Sequence, residues 1–467
     1  MRELHRSTVD CSLSAVGIAE VLQDLPGAFW LDGTLTSGRS IFGAFPCDSV
    51  SGWDPEPALS LEPGPPGAAW VPRWLGIIPY EACREVELGS GETDTRRRTS
   101  FDKIEWRRYG AVLCVDGSRV EAIGDDRLAM HRLVTALERP RRPLRADCTP
   151  LIAAYPDAVH EDSIRVILDE IAAGSVYQVN LARAFRGAAT GSAFAIYAHR
   201  FARARVPFGF ALEWTAGRRI IGASPELCLE CLADGTLLTR PIKGTRPRGK
   251  TREEDESQIR ELARDPKELA ELTMVVDLER NDLARLSHLG SVEVVSPGDI
   301  ESYEAVHHRV ATVRARISPG VSREELLRWF LPSGSVTGTP KRAAMRLIAR
   351  LEPERRGLYT GAVGYLAQDG GLRLAMAIRT LTVDRDGQAT YFSGGGIVAD
   401  SVAPREVLET KWKAEQVLRR DSCSSSDGVA REDRRTCRPM GPMSAQNWAD
   451  WHGSITKDGE RSDCPED

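Results

Sequence analysis

Strand-like and helix-like stretches intermix along this chain without the regular strand–helix–strand cadence of a parallel, doubly wound sheet. That irregular order limits the fold more than any single motif does. From about residue 155, HEDSIRVILDEIAAG has the apolar spacing of an amphipathic helix ending at Gly174, and YQVNLARAF reads as a strand. IIGASPELCLE and GLRLAMAIRTLTV each alternate apolar and polar residues and predict further strands. Over 1–138, apolar runs between Gly/Pro turns, such as PGAFWLDGTLT and WVPRWLGIIPYEA, predict strands joined by irregular loops. An α+β fold follows. The basic, proline-punctuated stretch 139–156 predicts a linker, 157–418 forms the motif-bearing region, and the polar, aperiodic stretch 419–467 predicts a disordered tail.

Composition excludes several classes. Across 467 residues, 62 basic and 67 acidic side chains leave a formal net charge of −5, which lacks the basic footprint of a nucleic-acid binder. No run of about 18 apolar residues predicts a membrane span. The N-terminal MRELHRSTVDCSLSAVG lacks the apolar stretch of a signal peptide, so a cytoplasmic location is expected. In that compartment the ten cysteines are expected as free thiols. Cys228 and Cys231, in ELCLECLADG, have the spacing of a redox pair or half a zinc site. Alternation followed by Asp-Gly favours a strand and turn, which would point the two thiols to opposite faces.

Two segments share one pattern of carboxylates. DPKELAELTMVVDLERNDLARL predicts a helix capped by Asp265, with Pro266 in its first turn, Glu268 at the capping-box position and Glu271 three residues on. In SVAPREVLETKWKAEQVL, Pro404 opens a helix that carries Glu406 and Glu409 at the same spacing. Acidic residues near helix starts also simply complement the helix dipole. If the two starts face each other, four carboxylates converge, and an oxygen-only set of that kind suits Mg²⁺. Lys413, one turn beyond Glu409, could pair with it or reach an anionic ligand.

Other segments suggest an anion-binding lining. GSVTGTPKRAAM leads from a flexible loop into a helix expected to start at Pro340, whose free N–H groups favour an anion. It is not a phosphate-binding Walker loop. FSGGGIVADS predicts a flexible loop where Gly394, Gly395 and Gly396 let backbone approach a ligand. Arg379, in AMAIRTLTV, could bind a carboxylate in bidentate fashion if it faces inward.

Taken together, YQVNLAR, SPELCLE, RPIKGTRPRG, ELTMVVDLERNDLARL, PSGSVTGTPKRAAM, YTGAVGY, AIRT and GGGIVADSVAPREVLETKWKAE closely resemble the chorismate-utilising enzymes. That family includes the large subunits of anthranilate synthase and aminodeoxychorismate synthase. The resemblance spans about Asp157 to Gln416, with 1–150 fitting the weaker N-terminal part. It implies two antiparallel sheets packed as a sandwich with flanking helices, and chorismate bound in a cleft through Mg²⁺. By motif position, Glu271 and Glu409 would hold the metal with Glu268 and Glu406 in support. Tyr359, Arg379, the Gly394–Gly396 backbone and Lys413 would bind the substrate carboxylates, and Thr245 and Thr337 would line the pocket. His308 matches the family's active-site histidine, with His307 a bystander. Glu226 matches the acid that protonates the departing 4-hydroxyl.

Two positions divide the family. Lys243 in PIKGT resembles the aminodeoxychorismate synthases, where a neutral lysine attacks ring position 2 before ammonia enters at position 4. Burial or a neighbouring cation would have to make that lysine neutral. Gln178 stands where the water-using isochorismate and salicylate synthases carry a lysine base, and glutamine cannot act as one. The resemblance thus implies formation of 4-amino-4-deoxychorismate, the precursor of para-aminobenzoate and folate. An anthranilate-forming sister and a non-catalytic relative are the alternatives. No glutaminase-like segment is evident, so ammonia is expected from solution or from a separate glutamine amidotransferase subunit.

Overall fold

The computed structural model describes residues 3–33, 38–56, 70–89, 94, 96, 98–202 and 206–418. The predicted tail, 419–467, lies outside them. Strand-forming segments assemble into two sheets, of thirteen and ten strands, in which every described pair is antiparallel. Phe29, Leu31, Ile41 and Phe210 of the larger sheet meet Leu75, Ile77, Val363 and Tyr365 of the smaller in one buried cluster, the interior of the sandwich. Helices cover the remaining faces. Leu272, Val276 and Leu283, from the helix Pro266–Ala284, pack on Ala311 and Val313 of the smaller sheet. The helices Asp157–Ala172, Lys341–Leu351 and Ala403–Leu418 bury Ile164, Ile348 and Val407 with Val179 and Leu181 of the long strand Gln178–Thr190.

The expected helix signals are in place. Asp265 accepts from the N–H groups of Lys267 and Glu268, with Pro266 in the first turn. Gly174, just past the helix Asp157–Ala172, has φ +76°, the left-handed conformation glycine tolerates. Glu268 does not complete a capping box. Its carboxylate turns to Arg246 Nη1, 3.5 Å away. Pro340 is the N-cap of the helix Lys341–Leu351 and not its first residue.

Strand boundaries depart from the sequence reading in ways that matter for the site. IIGASPELCLE is two strands, Arg219–Ser224 in the larger sheet and Leu227–Cys231 in the smaller. GLRLAMAIRTLTV likewise divides into Leu372–Met376 in the smaller sheet and Thr380–Val383 in the larger. The chain therefore crosses between layers at Glu226 and again near Arg379. The two crossings are tied together by Met376 N–H donating to Glu226 O at 3.0 Å and Ala223 N–H donating to Arg379 O at 3.1 Å. Gly394–Gly396 are not a loop but part of the strand Gln388–Ile397, facing Ala182, Leu181 and Asn180. The register slips between Leu227 and Leu229, so strict alternation fails and the free thiols Cys228 and Cys231 share one apolar cluster.

Residues 1–138 and 157–418 contribute strands to both sheets: Phe29–Gly33 pairs with Phe208–Glu213, and Pro72–Ile78 with Ala362–Ala367. Within 139–156, Asp147–Cys148 and Ile152–Ala153 both pair with Gln178–Thr190, so this stretch extends a sheet and does not tether two modules. Among the described residues no helix is long and apolar enough to cross a membrane.

Candidate active site

Glu226 follows Pro225 at the first sheet crossing and is 6 % exposed. Its Oε1 accepts from Ser335 Oγ at 2.9 Å. Burial raises its carboxyl to about 7, against the opposing pull of the Ser335 bond, Lys243 and Arg379. A carboxylic acid protonated near neutral pH can give up a proton where an ordinary glutamate cannot.

Lys243 lies on the strand Ile242–Pro247, whose pairing with Val306–Arg316 slips between Ile242 and Thr245. Lys243 and Gly244 occupy the slip, with Gly244 at φ +90°. Irregularities of this kind re-aim side chains, and the half-buried Lys243 has Glu226 and Glu271 as charged neighbours. These are carboxylates, whereas the sequence reading named a cation as one route to a neutral amine. Close approach also explains Gly244, where a Cβ would come within 3.3 Å of Glu268 Oε2 and 2.8 Å of Leu262.

Thr245 Oγ1 lies 2.9 Å from His308 Nδ1, while the buried His308 Nε2 has no protein partner. Burial, reinforced by Arg379, lowers this imidazole to about 4, so it is neutral at physiological pH. His307 is fully engaged, with Nδ1 2.8 Å from Ser302 Oγ and Nε2 2.9 Å from Asp255 Oδ1, which suits its expected bystander role.

Arg379 is not on a strand face. It occupies the second crossing with φ +50°, a conformation that arginine rarely adopts. Burial lowers its guanidinium, with Tyr391 and Glu226 as counterweights. Tyr359 stacks on Phe392 with ring centroids 5.5 Å apart, and burial pushes its hydroxyl up to about 12. Gln178 is fully buried, yet neither Nε2 nor Oε1 has a hydrogen-bond partner. A Cβ at Gly396 would lie 2.9 Å from its Nε2. An amide buried with both ends unsatisfied is costly unless a ligand supplies the missing bonds. Thr337 is also fully buried, but its hydroxyl is committed to Ser333 O at 3.0 Å.

The two Glu-bearing helices do approach each other. Burial raises Glu271, and the charges of Glu268 and Glu409 act on it in the same direction; burial raises Glu406, with Glu409 adding. A Cβ at Gly395 would stand 3.5 Å from both Glu406 Oε2 and Glu409 Oε1. Lys413 Nζ bridges Glu409 Oε1 at 2.6 Å and Gly394 O at 2.9 Å, and Lys267 lies 3.9 Å from Glu271. Among the described residues no three acidic, histidine or cysteine side chains close around a single point in the manner of an all-protein metal cage. Mg²⁺ is commonly held by one or two carboxylates together with water and substrate oxygens. The oxygen-only, mutually repelling donors fit that mode.

Several supporting residues carry no signal in the motifs. Arg356 is fully buried and pairs with Glu352 at 2.6 Å. It also donates to Asn180 O at 2.5 Å, Val336 O at 3.2 Å and Thr360 Oγ1 at 3.0 Å, fixing the segments that carry Gln178, Thr337 and Tyr359. Only the run of charge in LEPERRG hints at this knot, and an exposed turn would look the same.

The sequence pattern of the chorismate binding enzyme family matches residues 48–419. This chain belongs to that family. It is 34 % identical over 452 residues to anthranilate synthase component 1 from Streptomyces coelicolor, covering 89 % of this chain and 88 % of that protein. It is 39 % identical over 363 residues to aminodeoxychorismate synthase component 1 from Klebsiella aerogenes, covering 77 % and 79 %. The crystal structure of anthranilate synthase component I from Streptococcus pneumoniae superposes with a TM-score of 0.70 at 27 % identity, over 89 % of this chain and 99 % of that one. The chain is thus a chorismate-utilising enzyme of the anthranilate synthase and aminodeoxychorismate synthase type.

Proposed function

We propose that this enzyme is an aminodeoxychorismate synthase component I, which replaces the 4-hydroxyl of chorismate with an amino group. The observation that carries the reading is the pairing of Lys243, a nucleophile re-aimed by an irregular strand, with Glu226, a buried acid within its electrostatic reach. Arg379, Tyr359, Lys413 and the Gly394–Gly396 backbone hold the substrate's carboxylates, and Gln178 offers its unpaired donor and acceptor. Mg²⁺ held by Glu271 and Glu409, with Glu268 and Glu406 in support, would neutralise a substrate carboxylate and the repulsion among these four side chains. The neutral His308 presents Nε2 to the pocket, and its Nδ1 is steadied by Thr245.

In the first step the Lys243 amine bonds to ring carbon 2, both conjugated ring double bonds shift by one position, and the C4–O bond breaks. Glu226 gives its proton to the departing hydroxyl, which leaves as water. Ammonia then bonds to carbon 4, both double bonds shift back, and the Lys243–carbon bond breaks to return the amine. The proton that ammonium releases on becoming ammonia restores Glu226. A separate glutamine amidotransferase is the proposed ammonia source, and the proposed location is the cytoplasm.

The test is Lys243→Ala. Formation of the para-amino product should be strongly slowed while chorismate still binds, because the carboxylate contacts remain. Wild-type enzyme held with chorismate and without ammonia should gain covalent mass on the peptide containing Lys243. A variant that makes the para-amino product at the wild-type rate would exclude the covalent route.

A further inference from the structure

Glu279, on the helix Pro266–Ala284, is fully buried, yet it lies among none of the groups assigned above to chorismate or metal. Its Oε1 is hydrogen-bonded to the Ser333 hydroxyl and accepts from Ser335 N–H at 3.3 Å, and its Oε2 accepts from Thr239 Oγ1 at 3.1 Å. The Ser333 and Ser335 hydroxyl oxygens are 2.9 Å apart, and Ser335 Oγ donates to Glu226 Oε1 at 2.9 Å. Two serine hydroxyls therefore join two buried carboxyls in an unbroken path. Both serines sit on the tight turn at Gly334–Val336, which the Thr337 hydroxyl pins through Ser333 O.

We propose that Glu279, acting through Ser333 and Ser335, is a positioning residue that shares a proton with Glu226. The proposal rests on Glu226 being the acid that protonates the departing hydroxyl. After Glu226 has given its proton away, Ser335 passes its hydroxyl proton to Glu226, Ser333 passes its own to Ser335, and Glu279 passes its own to Ser333. Three O–H bonds form and three break, and the negative charge moves from Glu226 to Glu279. The proton released from ammonium restores the pair.

The surroundings suit a carboxyl that holds a proton. Burial raises Glu279, and the nearby Asp282 adds to the effect. Lys341 Nζ, 2.7 Å from Asp282 Oδ2, supplies the compensating positive charge, with Arg285 acting on Asp282 from further along the helix. Glu226 and the Cys228 thiol also act on or face Glu279, and burial keeps that thiol protonated.

The experiment compares pH profiles of kcat/KM for chorismate in the wild type, Glu226→Gln and Glu279→Gln. Glutamine at 279 preserves shape and hydrogen bonding but can neither relay a proton nor carry charge. Glu226→Gln should lose about 10²–10⁴-fold in turnover. Glu279→Gln should move the basic limb of the profile to lower pH, with a loss on the order of tenfold at pH 8 and little change at pH 6. Chorismate affinity should stay at the wild-type value. A Glu279→Gln profile superimposable on wild type, with Glu226→Gln inactive, overturns the proposal alone. A fully active Glu226→Gln overturns the acid role of Glu226 and the proposal with it. If Glu279→Gln does not fold, Ser333→Ala interrupts the same path at a neutral residue, and the same two outcomes decide.

Discussion

Burial raises the carboxyls of Glu213 and Glu226 alike to about 7, but only Glu226 belongs to the candidate site. Glu226 looks toward Lys243 and Arg379, whereas Glu213 accepts from Ala193 N–H at 2.5 Å at the start of a surface-covering helix. Glu213 is therefore a clean probe of the energetic cost of such burial. Its folded value lies above the ordinary carboxyl range, so the folded state binds the proton more tightly than the unfolded chain. The stability this contributes is present below about pH 4.5 and is lost as pH rises through about 7. Glu213→Gln, which keeps an acceptor for Ala193, should match wild type near pH 4.5 and exceed it at pH 8 by on the order of 2–3 kcal/mol in urea unfolding. Equal stability at pH 8 would show that Glu213 is ionised at no cost. At this scale PIKGT and SPE single out Lys243 and Glu226, and the fold brings the two within electrostatic reach of each other. Glu279, Ser333 and Ser335 are not singled out in this way. A glutamate inside an amphipathic helix and serines in a Gly-rich loop look like ordinary solvated positions until the fold buries them together.

At the scale of elements, the site is built where the chain changes layer. Strand alternation has a period of two in either sheet, so it predicts strands without telling which sheet they join. Two segments that read as single strands are each cut in half by the fold, and the cuts place Glu226 and Arg379 side by side. The three glycines were misread as a loop for a related reason: glycine is depleted in strands, and here close packing requires it. A Cβ at Gly394 would stand 2.4 Å from Leu181 O and 2.9 Å from Ala182 Cα, backbone that cannot move aside. Gly394→Ala should therefore cost about 1–3 kcal/mol of stability in chemical denaturation. At Gly396 the obstruction is the Gln178 side chain, which can rotate. Gly396→Ala should hold its stability closer to wild type while raising KM for chorismate. The reverse ranking of the two variants would contradict the assignment of these contacts.

On the scale of the whole molecule, residues Met1–Arg419 form one compact unit. The α+β class and the antiparallel sandwich were readable from the irregular order of elements and from the family motifs. The sharing of both sheets between 1–138 and 157–418 was not, because strand partners far apart in sequence leave no local trace. That interleaving keeps the two Glu-bearing helices, the irregular Lys243 strand and the two layer crossings on one rigid frame, as a site that must hold a dianionic substrate requires. Such a frame serves amination at either ring position, and under the proposed function Lys243 selects position 4. The most direct measurement is therefore the ring substitution of the product formed from chorismate, ammonium and Mg²⁺ by the purified enzyme, read by mass spectrometry and NMR. The expected product is 4-amino-4-deoxychorismate, with the amine para to the ring carboxylate; anthranilate or an ortho-amino intermediate as the main product would contradict the proposed function.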